Sequence, residues 1–120
     1  PEQKLITAHE TDRMSEVISI MKSHDISQMP VVRTDDSLAG LVTEIDLLKY
    51  LVEDNHSQRP QETIAGILRP APNVFSSDTP VESVLPAIME NQAVLVAENK
   101  HPIGILTKID ILDFITLGMQ

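Results

Sequence analysis

The chain has 120 residues, 42% of them apolar and mostly aliphatic, with no Cys and no Trp, which suits one compact domain with an aliphatic core. The absence of Cys rules out a disulfide framework, a thiolate nucleophile and a Cys-based zinc site. A net charge of −9 with scattered Lys and Arg argues against nucleic acid, whose binding depends on cations that neutralise phosphates, and no apolar run approaches the roughly 18 residues of a membrane span.

The opening "PEQKLI" lacks Met and carries no secretory signal, so a segment of a longer, cytoplasmic protein is expected. "KLITA" (residues 4–8) reads as a short strand. "DRMSEVISIMKSHD" follows with Met14, Val17, Ile18 and Met21 at helical spacing. "MPVVR" is a β-branched strand, "RTDDS" a polar turn and "LAGLVT" a second strand. Thr43 then opens a helix, "EIDLLKYLVED", with Ile45, Leu48 and Leu51 on one side. The polar, proline-marked "DNHSQRPQE" reads as a linker, and "TIAGILR" as a helical turn or two.

The order then repeats. "NVFSS" is a strand, and "DTPVESVLPAIME" a helix with Pro80 in its first turn, where proline is tolerated. Pro86 falls inside that helix, and a kink or an early break is expected there. "AVLVAE", the turn "ENKH", "PIGILT" and the helix "KIDILDFITLGM" complete the second copy. Residues 1–54 and 63–120 thus form two repeats joined by 55–62, each too small to hold a robust core alone. The expected fold is α/β (α+β), two βαββα repeats packed as one module with pseudo-two-fold symmetry.

"GLVTEIDLL" and "GILTKIDIL" place Gly40 with Gly104, Thr43 with Thr107 and Asp46 with Asp110. Thr before an apolar-periodic run is a good N-cap, and a carboxylate at the third helical position suits the dipole, so capping alone accounts for one copy. Capping does not ask for Gly three residues earlier in both copies. Gly lets a second backbone or a ligand approach the strand. A helix start offers free N–H groups to a polar anion. Asp, an acceptor, suits the two adjacent hydroxyls of a ribose. The duplicated motif therefore points to ligand binding.

Together these residues resemble a pair of CBS domains, a Bateman module, over nearly the whole chain. "DISQMPVV" and "AVLVAENKHPIGILTKIDILDFI" are similar to the regulatory tail of a cystathionine β-synthase. The resemblance implies two clefts for adenosine derivatives (AMP, ADP, ATP or S-adenosylmethionine), a homodimer, and control of an attached catalytic domain, that of a pyridoxal-phosphate-dependent lyase. It implies that Thr107, Lys108, Ile109 and Asp110 serve one cleft, with Ile26, Ser27, Gln28 and Met29 beside the adenine and Leu5 to Thr7 along the side. The other cleft would use Thr43 and Asp46, closed by Asn91, Gln92 and Ala93. Lys108 follows Thr107 where Glu44 follows Thr43, so a phosphorylated nucleotide should prefer the second copy. "ISQM" offers no acid to a sulfonium or an amine.

His9, His24, His56 and His101 show no metal-ligand spacing, and the acids of "RTDDS" suit a solvated turn, so no metal is expected. No Ser/His/Asp set and no P-loop is present, so this chain is not expected to be an enzyme. The alternative is a purely structural dimerisation module with empty clefts, or the regulatory pair of a different enzyme or transporter.

Overall fold

The computed structural model describes residues 5–53, 61–71, 74–90 and 93–118. The chain divides into two compact units, Ile6–Ala71 and a second formed by Pro72–Gln120 with Pro1–Leu5.

In the first unit, β1 (Ala8–His9) runs parallel to β2 (Gln28–Val32), which runs antiparallel to β3 (Leu38–Thr43). Of the strand expected over residues 4–8 only Ala8 lies in β1, which runs on to His9; residues 5–7 have no regular structure. Asp12 turns the chain there, accepting from the His9 N–H at 3.0 Å while its own N–H donates to the His9 carbonyl at 2.9 Å. Helix α1 (Met14–His24) buries Met14, Val17 and Met21, the stripe that helical periodicity requires. Its start is fixed by Glu16, which accepts from the Arg13 N–H at 3.0 Å. It ends at Asp25 in the left-handed conformation, with the Ile26 N–H donating to the Met21 carbonyl at 3.0 Å. Met14, Val17, Met29, Val31, Val42, Leu47 and Ile64 are buried together and form the core.

Helix α2 (Glu44–Leu48) is followed by a π-helical turn, Lys49–Glu53, where the sequence reading expects one uninterrupted α-helix. In that wide turn the Tyr50 hydroxyl donates to the Glu62 carboxylate at 2.5 Å. A 3₁₀ turn, Ile64–Ile67, places Ile64 in the core. Beyond it the chain lies along β3: the Leu41 N–H donates to the Arg69 carbonyl at 2.8 Å and the Arg69 N–H to the Leu41 carbonyl at 3.0 Å. This strap passes so close to Gly40 that a Cβ there would sit 2.6 Å from the Arg69 carbonyl oxygen.

The second unit repeats the sheet, with β4 (Val74–Phe75) parallel to β5 (Ala93–Glu98) and β5 antiparallel to β6 (His101–Thr107). Asn99 and Lys100, both at positive φ, make the two-residue turn between β5 and β6. Helix α3 (Val81–Glu90) packs Val84, Ala87 and Ile88 against Val94, with Phe75 and Leu106 around them. Of the kink or early break expected at Pro86, the early break does not occur, since the helix runs on to Glu90. Pro86 is exposed, so the helix carbonyl that loses its donor is left on the solvent side rather than in the core. Helix α4 (Lys108–Gly118) follows β6 directly. No helix among the described residues is long and apolar enough to cross a membrane.

Candidate functional site

Each Thr-x-x-Asp stands where a strand becomes a helix, β3 to α2 and β6 to α4. The local geometry is that of a cap. The Asp46 N–H donates to Thr43 Oγ1 at 3.1 Å, and the Asp110 N–H to Thr107 Oγ1 at 3.4 Å. Each Thr hydroxyl in turn donates to the Oδ2 of its Asp, at 2.9 Å in the first repeat and 3.0 Å in the second. Both Asp side chains are therefore held upright at the head of their helix.

Beyond the cap the two copies part. Asp46 is claimed on both oxygens by Arg69, with Nε donating to Oδ2 and Nη2 to Oδ1, each at 2.7 Å. These guanidinium hydrogen bonds hold the Asp46 carboxyl below the usual carboxylate range, with Thr43 adding to the shift and partial burial opposing it. In the second repeat Asp110 Oδ2 also accepts from the Thr107 backbone N–H at 2.8 Å. Asp110 Oδ1 has no partner among the described residues. Lys108 and Ile109, between Thr107 and Asp110, are exposed.

The "ISQM" segment lies beside its own repeat's motif. The Ser27 carbonyl accepts from the Glu44 N–H at 2.9 Å, and Gln28 stands opposite Thr43 in the sheet. Met29 is fully buried and Ile26 packs against the same core. Ala93 stands opposite Thr107 in the matching register of the second sheet. Thr7 is partly buried in a segment without regular structure. Asn91 and Gln92 lie outside the described residues. Arg69 is the side chain that sequence reasoning missed; it lies 23 positions from Asp46, at the end of a stretch read as a helical turn.

A separate groove of about 390 Å³ lies between α1 and α2, with a mostly apolar floor that includes Ile18, Met21, Leu47 and Leu51 and with Lys22, Asp25 and Glu44 also lining it. Among the described residues no three His, Cys, Asp or Glu side chains converge as a metal site.

The family model for the CBS domain matches the chain twice, over residues 1–53 and 64–117. Cystathionine beta-synthase of Saccharomyces cerevisiae is 24% identical over 132 residues, covering 92% of this chain; the chain spans only 26% of that enzyme's length. Among solved structures, CBSX2 in complex with AMP superposes with a TM-score of 0.81 at 19% identity, covering 100% of this chain and 93% of that one. The CBS domain pair of MJ0100, in complex with 5′-methylthioadenosine and S-adenosyl-L-methionine, superposes at 0.76 with 25% identity, covering 99% and 93%.

Proposed function

This chain belongs to the CBS domain family as a pair of such domains, and on that premise we propose that it is a regulatory module that binds an adenosyl ligand and controls an attached catalytic domain. The observation that carries the reading is Asp110. Its carboxylate is fixed by two hydrogen bonds from Thr107 through one oxygen, which leaves the other to accept from a ribose hydroxyl. Thr107 and the first N–H groups of the eleven-residue helix α4 supply further polar contacts. The exposed Lys108 favours a ligand that also carries phosphate. The AMP and S-adenosyl-L-methionine complexes of structurally similar pairs support an adenosyl group as the common element.

The parent protein is proposed to be a cystathionine β-synthase, because the similarity to the yeast enzyme runs along 92% of the chain. The groove beside Leu48 and Val52, side chains 60% and 67% exposed, supplies apolar surface for a homodimer.

A thermal shift with AMP and with S-adenosylmethionine tests the ligand reading. A ligand present at 100 times its dissociation constant stabilises the folded chain by ~2.7 kcal/mol. Asp110→Asn should abolish that gain while leaving the unliganded melting point nearly unchanged. A chain that melts at the same temperature with and without both ligands is not such a sensor.

A further inference from the structure

Gly40 recurs as Gly104 and Asp46 as Asp110, yet their surroundings differ. A Cβ at Gly40 would meet the Arg69 carbonyl at 2.6 Å, whereas at Gly104 nothing described lies within 4 Å. The strap that fills the first place is tied to β3 by two backbone hydrogen bonds between Leu41 and Arg69, so the fold itself delivers the Arg69 side chain to this position. Nε and Nη2 then engage both oxygens of Asp46, each at 2.7 Å. This planar fork matches a carboxylate as a single ammonium does not.

A vicinal diol would need those same oxygens, and it would offer neutral hydroxyl donors in place of a guanidinium. Charge-assisted hydrogen bonds are the stronger of the two. The exchange is therefore unfavourable for any ligand that brings only a ribose to Asp46. Among the described residues Asp110 meets no such competitor, and its partners there are its own Thr107 groups.

We propose that Arg69 is a built-in occupant of the Thr43–Asp46 element, and that the chain consequently takes one adenosyl ligand, held by Thr107 and Asp110. This inference rests on the reading of Asp110 given above and deepens it, because it states how many ligands bind and names the side chain that sets the number. Arg69 thus acts as a specificity residue without touching the bound ligand.

Isothermal titration of AMP, and separately of S-adenosylmethionine, tests the occupant. The proteins are the unmodified chain, Arg69→Gln, Arg69→Gln with Asp46→Asn, Asp110→Asn and Arg69→Lys. The expected stoichiometry is one ligand per chain without substitution and two for Arg69→Gln. The added ligand should vanish on the further Asp46→Asn change, and the original one in Asp110→Asn. Arg69→Lys keeps the charge but loses the fork; it should admit the second ligand more weakly, and it serves in place of Arg69→Gln should that variant not fold. A stoichiometry of one in both Arg69 variants, or of two in the unmodified chain, overturns the occupant and leaves the Asp110 reading standing. No binding to the unmodified chain, with one ligand gained in Arg69→Gln and lost with Asp46→Asn, supports the occupant and overturns the Asp110 reading. Failure of every protein to bind overturns both.

Discussion

Asp46 accepts two hydrogen bonds from Arg69 and one from the Thr43 hydroxyl, and all three favour its ionised form. Its folded-state pKa is accordingly lowered, with the Arg69 hydrogen bonds the largest cause. For a carboxylate whose folded value is depressed, the linked stability is fully present above the unfolded value of about 3.9 and is lost as pH falls through the folded value. A carbon-detected NMR titration should find Asp46 titrating below the ordinary carboxylate range, and Arg69→Gln should move it up towards about 3.9. An ordinary value in the unmodified chain would mean that the ion pair does not form in solution. The glycines give a second contrast. Gly40→Ala drives a methyl against the Arg69 carbonyl, which cannot withdraw without breaking its bond to Leu41. A loss of about 1–3 kcal/mol is expected, the usual cost of overpacking. Gly104→Ala meets nothing described within 4 Å and should stay within about 0.5 kcal/mol in urea denaturation.

Helix α3 carries its proline on an exposed face, and the early break expected from the sequence is absent. The ring still removes one helix donor and crowds the preceding turn. Pro86→Ala should therefore stabilise the chain by up to ~3 kcal/mol. An unchanged or lowered melting point would show that the helix has already relaxed around the ring. Other elements were legible wherever the determinant is local. "LAGLVT" and "AVLVAE" form strands with the bounds that their apolar runs mark, and Met14, Val17 and Met21 turn inward as their spacing requires. Thr43 and Thr107 cap their helices because the cap needs only the three residues that follow. The rest depends on partners distant in sequence. The first strand stops at His9 because Asp12 turns the chain back on that residue. The bonds from Arg69 to Leu41 and Asp46 join segments that no periodicity links. The sequence shows that Gly40 admits a close neighbour, but not whether that neighbour is a ligand or a strap, and the structure places a strap there.

At the scale of the whole molecule, a net charge of −9 surrounds a site proposed to take an adenosyl ligand. Long-range attraction and local contacts then act in opposite directions for an anion. AMP carries a phosphate of nearly two negative charges at neutral pH; the field of the protein opposes its approach, while Lys108 and the α4 N-terminus favour it only at contact. S-adenosylmethionine is a net cation and is drawn in by the same field. The two contributions separate by range, because the Debye length falls from about 30 Å at 0.01 M salt to about 8 Å at 0.15 M. Salt in that interval screens the distant acids well before it weakens contacts at the binding group itself. AMP should therefore bind more tightly as salt rises through this range, and S-adenosylmethionine more weakly, both through the association rate. Stopped-flow measurement at the two salt concentrations reads both slopes. If AMP binding weakens with salt, Lys108 and the α4 N-terminus dominate even at a distance, and the acidic surface has no part in selecting the ligand.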